Sequence, residues 1–214
     1  MAFSGDLMDT TEKLSVLTIG HSTHTYYRFL ELLRSAGVTA VADVRSAPYS
    51  RHRPQFNADN LKLELQADGV AYSFLGRELG GRPAEKRLYQ EGVADYNKMA
   101  VQPNFTHGLT RVLDGARKFR IALMCSEQDP LDCHRCLLVG RALCKHDANV
   151  SHILSTGNLI SQVEIEEQLL RMAKRQDGDL FMTRDERLAT AYFERGRKVA
   201  FAEAQDVSPP LAAE

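Results

Sequence analysis

Cysteine is scarce in this chain, four in 214 residues, too few for a disulfide framework. In a reducing compartment those four would be thiols, metal ligands or redox groups. Long apolar runs are absent: none approaches the roughly 18 residues that a membrane span needs. The opening "MAFSGDLMDTTEK" also lacks the charged-then-apolar order of a signal peptide, so the expectation is a soluble cytoplasmic protein with no membrane partner. Neither sign of charge dominates, with 27 Lys and Arg against 28 Asp and Glu, so no global field would hold the chain on nucleic acid. Arg51, His52 and Arg53 form one basic cluster without an aromatic–basic stripe, which argues against a broad nucleic-acid face but leaves room for a local anion pocket. Neither a phosphate loop GxxxxGK[ST] nor a dinucleotide GxGxxG occurs. Internal repeats are absent too, and the length suits one core and not two ordinary domains plus a linker.

What the chain does have is alternation. "VLTIG" at 16, "AVADV" at 40, "AYSFL" at 71, "IALMC" at 121 and "VSHIL" at 150 read as short buried strands. Between them lie helical patterns: Tyr26, Phe29, Leu30 and Leu33 share a spacing that stops at Gly37, and Asn57 is placed to cap "ADNLKLELQADG". Strands joined through helices lie parallel, so the expected fold is α/β, a mostly parallel sheet of about five strands flanked by helices. A single domain over 14–176 and a helical or flexible extension over 177–214 are expected. Residues 76–103, the least regular stretch, suit a lid containing a short helix. "SQVEIEEQLLRMAKR" reads as an amphipathic helix offering Val163, Ile165, Leu169, Leu170 and Met172 for docking, and "DVSPPLAAE" as a loose end.

Three strand ends carry unusual chemistry, at the sheet edge where α/β ligands bind. After the first, Gly20 permits a tight turn, and His21, Ser22 and Thr23 precede a helix, where hydroxyls can cap or contact an anion. After the second, "DVRSAPYSRHRP" supplies Asp43, Arg45, Ser46 and Arg51; guanidinium forks suit planar anions, and Asp43 could position Arg45. After the fourth comes "CSEQDPLDCHR". There Cys125 ends a strand and Cys133 begins a helix beside His134 and Arg135, a setting that favours thiolate. Glu127 or Asp129 could orient these groups, while Cys136 and Cys144 fall in the apolar pattern "CLLVGRALC" and are assigned to core.

Taken together and in this order, "GHST", "DVRSAPYSR", "LGRELGG" and "CSEQDPLDCHR" resemble the signature of the domain-of-unknown-function 488 family, over about Leu17 to Ile153. The resemblance implies a small cytoplasmic α/β protein and singles out Gly20, His21, Ser22, Asp43, Arg45, Cys125, Cys133, His134 and Arg135; it supplies no reaction, cofactor or oligomeric state. The leading functional expectation is an enzyme or binding domain for a small anionic ligand, phosphorylated or nucleotide-like. In it Cys125 or Cys133 is nucleophile or ligand, and His21 or His134 the proton carrier. Three alternatives stand beside it. "VADVR" followed by "ALMCSE" is similar to the order in rhodanese-like sulfurtransferases, with Cys125 as sulfur carrier, although an acidic loop replaces their anion cradle. Cys125, Cys133 and a histidine could instead hold iron or zinc or act as a redox pair. The pocket could also serve a non-enzymatic sensor or adaptor.

Overall fold

The computed structural model describes residues 13–176 and 181–203. Eight strands and eight α-helices alternate along them: β1 (Ser15–Gly20), α1 (Tyr26–Ser35), β2 (Ala40–Asp43), α2 (Ala58–Ala67), β3 (Ala71–Phe74), α3 (Gly76–Leu79), β4 (Tyr89–Gln90), β5 (Val93–Ala94), α4 (Tyr96–Ala100), α5 (Pro103–Ala116), β6 (Ile121–Cys125), α6 (Arg141–Lys145), β7 (Asn149–Ile153), β8 (Leu159–Ser161), α7 (Gln162–Met172) and α8 (Arg184–Val199). A π-helical stretch, Arg135–Gly140, runs directly into α6.

The main sheet has the order β3-β2-β6-β1-β7-β8, with the first five strands parallel. The expected five-stranded parallel sheet is therefore present, extended by β8, which returns antiparallel along β7. β8 is three residues long and polar at its end, too short to show a period of two in the sequence. Strand alternation divides the interior. Leu17, Ile19, Val41, Ala122 and Met124 face α1 and α2, while Val16, Ala42, Leu123 and Cys125 face α5 and the 135–145 helix. Both faces are covered, which is why these strands read as continuous apolar runs.

Order and register decide where the site can form. β6 lies between β1 and β2, with Gly20 opposite Cys125 and Asp43 opposite Met124, so three strand ends separated in sequence by up to 105 positions finish side by side. The loop after β6 folds closely over β1: a Cβ on Gly20 would stand 1.9 Å from the Glu127 carbonyl oxygen, so only glycine fits there.

Several local expectations are corrected. Thr25, not Ser22 or Thr23, caps α1, its hydroxyl accepting from the Arg28 N–H. Asn57 occupies the cap position of α2 but turns its Oδ1 to the Ser50 N–H. The irregular stretch 76–103 contains the β4–β5 hairpin as well as α4, and Ala202 of the C-terminal segment bridges Val93 to widen that hairpin. On α7, Ile165, Leu169 and Leu170 are buried against Leu131, Leu137 and Tyr192, leaving Val163 and Met172 exposed. α8 is thus part of a shared core, and no helix among the described residues is long and apolar enough to cross a membrane. The "DVSPPLAAE" stretch and residues 1–12 of the opening lie outside the described residues.

Candidate functional site

A cleft of about 580 Å³ opens at the C-terminal edge of the sheet and is lined from all three strand ends, by His21, Arg45 and Cys125 among others. Its size is that of a small-molecule site. The rim contributes hydroxyls from Ser22, Thr23, Ser46, Ser50 and Ser126 and guanidinium groups from Arg53 and Arg82. One wall comes from far away in sequence, Tyr96 of α4 with Val199 and Phe201 from the end of the described chain, and Arg82 stacks over the Phe201 ring at 4.7 Å.

On one side stands a charge-matched unit. Asp43 accepts from the Arg45 N–H, Nε and Nη2 at 3.1, 2.9 and 2.6 Å and from the Tyr72 hydroxyl at 2.8 Å. Arg45 also donates through Nη2 to the Phe56 carbonyl and through Nη1 to His21 Nε2, at 2.8 and 3.2 Å. A guanidinium can only donate and a carbonyl only accept, so His21 takes the tautomer with Nδ1–H on the Ser22 carbonyl at 3.1 Å. Burial first, and then Arg45, push its pKa down to about 4. His21 is stacked on Phe56 with both ring nitrogens engaged, Nδ1 at the Ser22 carbonyl and Nε2 at Arg45.

On the other side lie the sulfurs. One ligand atom each from Cys125, Glu127, Cys133 and His134 falls within 4.8 Å of all the others. Glu127 Oε2 is 3.0 Å from both Sγ atoms, and His134 Nδ1 is 3.6 Å from Cys125 Sγ and 3.9 Å from Cys133 Sγ. His134 Nε2 donates to the Val44 carbonyl at 2.9 Å, which turns the Nδ1 lone pair toward the thiols. Gly81 gives the ring its space, since a Cβ there would be 2.8 Å from His134 Cγ. Cys133 stands at the mouth of the helical segment, with Sγ accepting from the Arg135 N–H at 3.4 Å.

Burial alone would raise both thiols. It dominates at Cys125, which is driven well up with help from its neighbour Cys133. At Cys133 the hydrogen bond from Cys125, the Arg135 charge and His134 outweigh burial and hold it well below the ordinary thiol range. The two thiols titrate together, and the Arg135 charge favours the ionised form at Cys133. His134 is raised despite burial, through its contact with Cys133, and Glu127 is raised by burial and then by Cys133.

Beneath the sulfurs Arg135 is fully buried. Its Nη1 and Nη2 donate to the Glu127 and Gln128 carbonyls at 2.6 and 2.9 Å, clamping the loop after β6, and its Nε faces the Thr18 hydroxyl at 3.4 Å. From there a buried chain continues: Thr18 to His152 Nδ1 at 2.8 Å, His152 Nε2 to Gln162 Oε1 at 2.9 Å, Gln162 Nε2 to Tyr192 at 2.6 Å and Tyr192 to Glu166 at 3.0 Å.

Of the residues singled out in the sequence, Cys125, Glu127, His134, His21, Ser22, Thr23, Arg45 and Ser46 line the cleft. Cys133 lies behind them in the sulfur cluster, and Asp43, Gly20 and Arg135 support from below. Arg51 is exposed and outside the lining; Arg53, two positions on, takes that place, because the loop turns into the Pro54–Phe56 helical turn. Asp129 caps a turn by accepting from the Leu131 N–H and does not orient the cluster. Cys133 and Cys136 do not face one site, since Cys136 points away to Gln162 and burial pushes its thiol up to about 12. Cys144 is half-buried and not in the centre of the core. The sequence reading missed Arg82, Tyr96 and Phe201, which have no local motif, and also Thr18 and His152, whose polar side chains inside apolar strands were the available signal.

The family described as "Domain of unknown function DUF488" matches residues 25–142, more than half of the chain, and the chain belongs to it. No curated protein and no solved structure matches it.

Proposed function

We propose that this member of the DUF488 family binds a small anionic compound, phosphorylated or nucleotide-like, in the cleft and presents it to the Cys125–Cys133–His134–Glu127 cluster. The observation that carries this reading is the juxtaposition itself: guanidinium and hydroxyl groups on the rim face a reactive cluster on the floor of one cavity of small-molecule size. Arg53 and Arg82 are the groups free to fork onto an oxyanion, whereas Arg45 is committed to Asp43 and serves to hold the floor. Cys133, whose thiol is held low beside Arg135, and His134, with Nδ1 directed at the sulfurs, are the groups able to take or hold a proton there.

Rhodanese-like transfer through Cys125 fits less well. Cys125 Sγ stands 3.0 Å from the Glu127 carboxylate, whose charge would repel a persulfide anion formed there, and the loop turns the Glu127 and Gln128 carbonyls onto Arg135 in place of a ring of N–H donors around the sulfur. A sensor or adaptor would share the ligand but show no turnover.

Calorimetric titration with pyrophosphate and with a nucleoside monophosphate tests the reading. Binding is expected to weaken about tenfold in Arg53→Ala and in Arg82→Ala, the scale of one charge-assisted hydrogen bond. Wild-type protein that binds neither probe, or variants that bind them as well as wild type, would remove the anion site.

A further inference from the structure

The geometry points to a metal centre: we propose that Cys125 Sγ, Cys133 Sγ, His134 Nδ1 and the Glu127 carboxylate together hold one divalent cation of the zinc class at the floor of the cleft. Tetrahedral zinc, with Zn–S about 2.3 Å and Zn–N about 2.0–2.1 Å, sets sulfur and nitrogen about 3.6 Å apart. The two S···N separations here are 3.6 and 3.9 Å. His134 is already oriented as a ligand, because its Nε2–H is tied to the Val44 carbonyl and Nδ1 is left to donate its lone pair. Thiolates with imidazole select a borderline-soft ion over magnesium or calcium.

Charge balance supplies the second, independent argument. Arg135 is a wholly buried cation whose hydrogen bonds go to two carbonyls and a hydroxyl, and no ion pair among the described residues includes it. A buried charge needs compensation. The two buried thiols face this buried cation: as thiolates they would carry two negative charges against its one, and a divalent cation held between them and the Glu127 carboxylate brings the whole set to neutrality. With the cation, two thiolates, the Glu127 carboxylate and Arg135 sum to zero, and whatever protons the empty cluster holds on its sulfurs are released to solvent as the metal binds.

The four donors are not equivalent. Cys125, Cys133 and His134 are buried, while Glu127 is exposed on the cleft side. Three enclosed ligands plus one accessible corner is the pattern of a metal that exchanges a ligand, so an anion entering the cleft would replace Glu127 and meet the metal directly. This last point rests on the anion reading; the metal itself does not.

The test uses the full chain, reduced and stripped with a chelator, then titrated with zinc and, for a visible readout, cobalt. Wild type should take up about one equivalent with thiolate-to-cobalt charge-transfer absorption, and zinc should slow alkylation of Cys125 and Cys133 at least about tenfold. Cys125→Ser and Cys133→Ser should each weaken binding at least about tenfold, losses at or above those seen on removing outer-shell partners. Cys144→Ser should behave as wild type. Should a variant fail to fold by circular dichroism, the alkylation result on wild type decides. No cobalt spectrum and unchanged alkylation would overturn the metal site, as would full binding in both folded serine variants. Pyrophosphate titrated into stripped and loaded protein separates the two claims: metal uptake without pyrophosphate binding removes the anion site alone, and the reverse removes the metal alone.

Discussion

Arg45 and Arg135 are both buried guanidiniums at the edge of one sheet, but their charges are answered differently. Arg45 is met by Asp43 through two side-chain bonds and one backbone bond, so that unit is neutral within itself and its neighbour His21 is left uncharged. Arg135 meets only carbonyl and hydroxyl oxygens, and its charge acts outward on the sulfurs. A buried cation with its own carboxylate is a strut. One without must be balanced by whatever the site places beside it, and here that is the chemistry-bearing cluster.

The largest expected effects break the comparison at its two centres. Arg45→Met strands Asp43 as a buried unpaired charge and should cost about 3–5 kcal/mol in urea unfolding. Adding Asp43→Asn should then restore at least about 2 kcal/mol, because the pair leaves together. Arg135→Met, which leaves the half-buried Glu127 and Gln128 carbonyls without their donor and removes the charge beside Cys133, should cost about 1–3 kcal/mol. For this variant no single second substitution restores it. A double mutant at 43 and 45 no more stable than Arg45→Met alone would show that Arg45 is not a self-contained strut.

His152 sharpens the contrast, since the Arg135 charge reaches it through Thr18. Burial first, and Arg135 next, lower its pKa from 6.5 to about 4. The unfolded chain therefore binds this proton more readily than the folded one. Stability should hold above pH 6.5, fall as pH drops from 6.5 toward 4, and level off below, with His152 accounting for about 3 kcal/mol. Unfolding measured across this range should show a shallower slope in His152→Gln. In Arg135→Met, if folded, the His152 pKa followed by NMR should rise; an unchanged value would mean that the guanidinium does not act along this chain.

Smaller effects are expected nearer the cleft. Gly81→Ala places a methyl against the His134 ring and should cost about 1–3 kcal/mol by overpacking, while lowering cobalt affinity by displacing Nδ1. Arg53→Ala, at the rim, should leave stability within about 0.5 kcal/mol of wild type and change only ligand binding. A large stability loss there would make Arg53 a second strut.

Much of this was visible in the chain before it folded. Five apolar runs separated by helical patterns required a parallel sheet, and the turn chemistry after three of them marked the residues that line the cleft. Such patterns are local, because a side chain's face follows from a period of two or 3.6. The short β8 and the β4–β5 hairpin carried too few residues to show a period, and of the hydroxyls that precede α1 it is Thr25, next to Tyr26, that reaches the Arg28 N–H.

By itself the sequence determined which groups were available: two separable pairs of cysteines, a Cys-His-Arg step at 133–135, and an Asp-x-Arg unit whose partners lie two residues apart. Only the tertiary structure decided their duties. Strand order put β6 between β1 and β2, register set Gly20 against Cys125, and the close approach allowed by Gly20 let Arg135 reach the carbonyls behind the sulfurs. The arrival of Phe201 and Tyr96 at the cleft, and the lack of an ion pair to Arg135 among the described residues, depend on contacts across more than 100 positions in places. Charge compensation is a property of distances in space, and no spacing along a chain encodes it.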